Sequence, residues 1–159
     1  MDPFVYVIGV EEVLWGIMLL AITMAMHGLG MIFTLRATNE LKSLVAQPPR
    51  LTVALGLLIL ASWFIAITHL LEVMVWALFF IWKRALPTPS AAYYFALLEY
   101  TTTGSDYYLP FRWRLLEGMI AIAGLLTFAW STGVLFTLAT EFQDQQLERM
   151  AQRKRRRHG

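Results

Sequence analysis

Cysteine is absent from the 159-residue chain, which excludes a disulfide framework and any thiolate metal site. Charge is scarce as well: 15% of the residues are charged against 58% hydrophobic, and the mean hydropathy is +0.56. That balance lies outside the range of a soluble domain of this length and points to lipid. Also missing are a Gly-rich phosphate loop, a nucleophile elbow and paired acids placed for a polar cleft, so the chain is not expected to be an enzyme. The net charge of +2 conceals an asymmetry, because five of the thirteen basic residues lie in Arg153 to Arg157.

What the chain does contain is three apolar runs long enough for a membrane helix, which needs about 20 residues. They lie within Phe4 to Leu35, Leu51 to Trp82 and Leu115 to Leu138. The first is too long for a signal peptide, lacks a basic start and carries Glu11 and Glu12, so it is expected to stay in the mature protein. The fold class that follows is an all-α membrane protein. Residues 1–12 form an N-terminal interfacial segment, spanning helices cover 13–35, 51–82 and 113–138, and residues 139–159 form a basic tail.

The loop from Arg36 to Arg50, ended by Pro48 and Pro49, has three basic residues against one acid, and the tail ends in Arg-Lys-Arg-Arg-Arg. The positive-inside rule places both in the cytoplasm. That requires an odd number of crossings, and three satisfy it, giving a multi-pass protein of the cell membrane with its N-terminus outside. Lys83, Arg84, Arg112 and Arg114 then fall outside and oppose this orientation without outweighing it. The tail is expected to meet anionic lipid, at about 1 kcal/mol per basic residue near the surface, rather than nucleic acid.

The stretch between the second and third helices is the most informative. Pro87 to Pro89 makes a turn, Ser90 is the expected N-cap, and Ala91 to Tyr100 is an apolar segment too short to span. Thr101, Thr102, Thr103, Gly104, Ser105 and Asp106 follow, then Leu109-Pro110 and Arg112-Trp113-Arg114. This reads as a re-entrant hairpin in which a short helix (91–100) enters and a polar strand (101–106) returns. Irregular backbone at membrane depth is tolerated only where protein buries it or where it lines water. A Thr- and Gly-containing strand offers oxygens in series, and a ring of subunits supplying them replaces the hydration shell of a cation.

The run Phe-Ala-Leu-Leu-Glu-Tyr-Thr-Thr-Thr-Gly-Ser-Asp, followed by Trp113-Arg-Leu-Leu-Glu117 and a helix with Gly118, Gly124 and Gly133, resembles a known family. It is similar to small bacterial proteins akin to the pore domain of tetrameric potassium channels, over Tyr94 to Phe136 in particular. His27 and the step His69-Leu-Leu-Glu72 also look like features of that family. The resemblance implies a homotetramer passing monovalent cations, with no cofactor and no catalytic residue. It implies that Thr102, Thr103 and Gly104 present oxygens to the ion and that Asp106 anchors the outer mouth. Where the potassium filter reads Thr-Val-Gly-Tyr-Gly-Asp, this chain has Thr102-Thr103-Gly104-Ser105-Asp106, so potassium selectivity does not transfer and fewer ion sites are expected.

Glu99 ends the short helix and is expected to support the filter, through a hydrogen bond to Asp106 or from the outer vestibule. His69 and Glu72, three apart, share a helix face, and His27 lies at a similar depth on the first helix. These three residues suit a divalent metal, a proton relay, or a hydrogen bond that locks two helices. Gly118, Gly124 and Gly133 read as packing or gating positions. Arg114 and Glu117 are expected to pair, and the six tryptophans to face lipid or the interface. Two other functions fit the same residues: a membrane metal-binding protein or oxidoreductase using His27, His69 and Glu72, and a non-conducting structural subunit.

Overall fold

The computed structural model describes residues 6–45 and 50–158, which are helical without strands. Helix α1 is Val10–Ser43, α2 is Leu51–Trp82, α3 is Pro89–Tyr100 and α4 is Leu115–His158, preceded by a 3₁₀ turn at Phe111–Trp113. Three helical stretches, Val10–Ser43, Leu51–Trp82 and Phe111–Gln152, are long and apolar enough to cross a membrane. The chain is on this ground a membrane protein.

Helix α2 has the bounds that its apolar run predicts, α1 is longer than expected, and α4 continues beyond its apolar run into the tail. Hydrophobicity ends at Leu35 and Leu138, but helix propensity does not: residues such as Glu40, Leu41, Lys42, Gln145, Leu147 and Arg149 are good helix formers outside a membrane too. The end of the expected loop at Pro48-Pro49 and the first residues of the N-terminal segment lie outside the described residues. Helix α3 begins two residues earlier than its apolar segment suggests: the Thr88 hydroxyl, not that of Ser90, accepts from the Ala91 N–H at 3.1 Å, with Pro89 in the first turn. Helix α2 stops in a paired C-cap, with Ala85 N–H bonding Phe80 O and Arg84 N–H bonding Ile81 O, and Arg84 in the left-handed region at φ 51°.

The chain divides into two compact units, Met1–Gly28 with Thr68–Phe128, and Leu29–Ile67 with Ala129–Gly159. The first has a core in which Trp76, Phe80, Phe95, Tyr100, Leu116 and Ile120 are buried. Two tryptophans thus depart from the lipid-facing expectation. Trp76 is fully buried and donates its indole N–H to Thr23 Oγ1 at 3.0 Å, and Trp113 packs edge-on against Phe79. The second unit is built on Ala54, Leu57, Ala61, Leu138 and Phe142, with an ion pair between Lys42 and Glu141.

Acids of the first unit hold the entrance of α4. Glu12 is buried at 2% exposure and accepts hydrogen bonds from the Tyr6 hydroxyl and from the Leu115 N–H, the first residue of α4. An anion at a helix N-terminus satisfies an orphan donor and complements the helix dipole. Glu12→Ala is therefore expected to destabilise the folded chain by about 1–3 kcal/mol, the cost of a buried donor left unpaired, read as a lower midpoint in denaturant titration of the purified protein. Glu11 pairs with Arg112, and Lys83 lies 3.9 Å from Glu11 and over the rings of Trp15 and Trp82 at 4.5 and 4.1 Å. The expected Arg114–Glu117 pair does not form: Glu117 accepts from the Leu109 N–H, and Arg114 lies over Tyr108 and Phe111.

Candidate functional site

Two constellations, both in the first unit, concentrate polar groups. One is the end of α3. The last four carbonyls of a helix have no partner within it, and here the following residues supply one for three of them. Thr101 N–H bonds Leu97 O at 3.1 Å, Thr102 N–H bonds Glu99 O at 2.9 Å and Thr103 N–H bonds Leu98 O at 2.9 Å. The last two bonds form a Schellman motif, in which the left-handed residue is usually glycine. Here it is Thr102, at φ 60°, a costly conformation for a β-branched residue. Gly104 is again left-handed at φ 79°, so the sign of φ alternates along Thr101 (φ −86°), Thr102, Thr103 and Gly104.

Beyond the glycine, Ser105 N–H donates to Glu99 Oε1 at 3.1 Å. Thr101, Thr102 and Thr103 thus turn their N–H groups toward the end of α3, and Ser105 turns its own toward the Glu99 carboxylate. A trans peptide holds its C=O opposite its N–H, so the carbonyls of Thr101, Thr102 and Gly104 point the other way. Thr101 to Gly104 and Asp106 are exposed, and Ser105 is half-buried. The Thr101 hydroxyl is bonded to Leu97 O and lies 3.1 Å from that of Thr103.

Glu99 supports this strand, though not as the sequence suggests: its partner is the Ser105 N–H, and Asp106 stands exposed. Burial holds the Glu99 carboxyl above the usual carboxylate range; the Ser105 hydrogen bond opposes this and the charge of Glu117 adds to it.

The second constellation brings His27, His69 and Glu72 together, with nitrogen and carboxylate oxygen atoms within 4.8 Å of one another. His27 Nδ1 lies 2.9 Å from Glu72 Oε1, and His69 Nδ1 lies 3.5 Å from Glu72 Oε2. His27 and Glu72 are fully buried, whereas the His69 side chain keeps 12% exposure. Two residues that sequence reasoning missed complete the cluster. The Tyr100 hydroxyl donates to Glu72 Oε2, lies 2.9 Å from His69 Nδ1 and is bonded to Thr127 Oγ1. Tyr100 read as the end of an apolar helix, and only its phenol, which needs a partner when buried, marked it as different. Tyr100, a member of the cluster, immediately precedes Thr101.

The three glycines of α4 separate. Gly124 is buried, and a Cβ built on it would lie 1.9 Å from the carbonyl oxygen of Tyr100, so its bare backbone lets the end of α3 close on α4. Gly118 and Gly133 are exposed, with nothing within 4 Å of such a Cβ. No protein family, curated protein or solved structure matches the chain, so its function is argued from these two constellations.

Proposed function

We propose that the chain is one subunit of a homotetrameric, potassium-channel-like cation channel with altered or weak selectivity. Helix α3 is its re-entrant pore helix, and Thr101 to Asp106 is the strand that each subunit contributes to the filter. The observation that supports this reading is the sorting of the strand's backbone. N–H groups of Thr101, Thr102, Thr103 and Ser105 are held by α3 and Glu99, so the carbonyls of Thr101, Thr102 and Gly104 point away from those partners. A lone strand with exposed carbonyls is poorly suited to lipid, whereas four around an axis replace the water of a cation. Ser105 stands where a potassium filter has its aromatic residue, and the filter's second glycine is missing, which favours a short filter with few sites.

The charge distribution supports an external N-terminus and a cytoplasmic tail that meets anionic lipid. Lys83 and Arg112, which oppose that orientation, are both close to Glu11, so their charge is locally balanced. The test is cation flux into proteoliposomes containing the purified chain, together with the mass of the solubilised complex. Potassium and sodium flux of the same order, exclusion of a large organic cation and a mass of four chains are expected. Assembly without flux of any cation would leave the structural-subunit reading in its place.

A further inference from the structure

We propose that His27, His69 and Glu72 form a binding site for a divalent transition-metal ion of the zinc class. This inference does not depend on the channel reading, since none of the three is part of the strand that would conduct.

The donor set is the first ground. Two imidazoles and one carboxylate are the ligand types of zinc, which binds His nitrogen and carboxylate oxygen at about 2.0–2.2 Å and is usually four-coordinate. Ligands at that radius in a tetrahedron stand about 3.3 Å apart. The separations of 2.9 Å from His27 Nδ1 to Glu72 Oε1 and of 3.5 Å from His69 Nδ1 to the other carboxylate oxygen, Oε2, are close to this value. Small side-chain rotations therefore suffice to bring all three atoms, now within 4.8 Å of one another, onto one ion.

Position is the second ground. His69 and Glu72 are one turn apart on α2 and His27 faces them from α1, the way bundle proteins build metal centres, with a His and a Glu at i, i+3 on one helix and a further ligand on another. Glu72 is fully buried, and among the described residues its ion-pair partners are the two histidines, not a lysine or arginine. A buried carboxylate so placed attracts a cation strongly, because the low dielectric amplifies its charge. The partial exposure of the His69 side chain provides the side from which an ion enters.

The third ground is the surrounding support. Metal-bound carboxylates are themselves hydrogen-bonded by neighbours that fix their orientation. Glu72 has such a neighbour in the Tyr100 hydroxyl, which in turn is bonded to Thr127 on α4. A carboxylate has lone pairs enough to bind an ion and keep that bond. An ion held by α1 and α2 is thereby connected to Tyr100, the last residue of α3.

The experiment is a Co²⁺ titration of the tag-free, full-length chain in detergent after chelator treatment, followed by displacement with Zn²⁺. One Co²⁺ per chain is expected, with the strong visible absorption of a low-coordinate ion and loss of the colour on adding Zn²⁺. His69→Ala and Glu72→Gln should weaken binding at least tenfold, and Tyr100→Phe by about tenfold, as for an orienting neighbour. X-ray absorption of the wild-type Co²⁺ complex is expected to report two imidazoles, which decides the matter even if a variant does not fold. Wild-type protein that takes up no Co²⁺ or Zn²⁺, or a bound ion with no imidazole or with one, as from the exposed tail, would overturn the proposal and leave a purely hydrogen-bonded lock.

Discussion

Replacing Gly104 by valine should abolish cation flux while leaving helix content and assembly unchanged. Gly104 sits at φ 79°, and a Cβ there would meet nothing within 4 Å, so the obstacle is conformational rather than steric. Left-handed backbone costs an L-residue about 1–2 kcal/mol, more for a β-branched one. In a fourfold ring the same cost falls on four strands at one level. Valine therefore moves to negative φ, which turns the adjoining peptide, swings the Gly104 carbonyl to a new direction and pulls the Ser105 N–H from Glu99. The core of the first unit does not include this residue, so the fold is expected to survive. D-alanine at the same position, which favours positive φ, should retain flux and so separates conformation from bulk. Comparing ion uptake into proteoliposomes for the three proteins, beside their circular dichroism and complex mass, is the measurement. Undiminished flux through the valine variant would mean that this strand does not line the path.

Much of the architecture was legible because membrane length acts on sequence directly. Both ends of α2 are visible as the ends of one apolar run, bounded by Arg50 and Lys83. The outer ends of α1 and α4 were not legible from hydropathy, since polar residues with good helix propensity continue a helix after its membrane requirement has ended. Glu11 and Glu12 read as an interfacial lead-in. Their actual partners, Arg112 and the Leu115 N–H, lie about a hundred residues away in sequence, at separations of 101 and 103, where no local pattern reaches.

The candidate sites divide along the same line. His27, His69 and Glu72 could be grouped in advance because helix periodicity puts residues three apart on one face and because ionisable groups in apolar runs are few. Tyr100 and Thr127 complete their cluster, yet each alone is an ordinary membrane-helix residue, and only the packing of α3 between α2 and α4 makes them partners of Glu72. For Glu99 the sequence suggested Asp106 or the outer vestibule as its surroundings, whereas it bonds the backbone of Ser105, a contact set by how the chain turns at Gly104.

Among the three glycines of α4, alanine substitution should divide one sharply from the other two. At Gly118 and Gly133 the added methyl meets nothing within 4 Å, and alanine is the better helix former by about 1 kcal/mol, so these variants should match or exceed the parent in stability. At Gly124 the methyl would lie 1.9 Å from the Tyr100 oxygen and 2.9 Å from its carbon, both backbone atoms that cannot rotate away. Helix α3 must withdraw from α4, and overpacking of that kind costs about 1–3 kcal/mol. Since Tyr100 carries the hydroxyl that reaches Glu72 and precedes the first residue of the strand, the same displacement should lower both metal affinity and flux. Denaturant titration of the three variants in micelles, with flux measured alongside, checks this. Equal stability in all three would show that close contact at Gly124 does not set the position of α3.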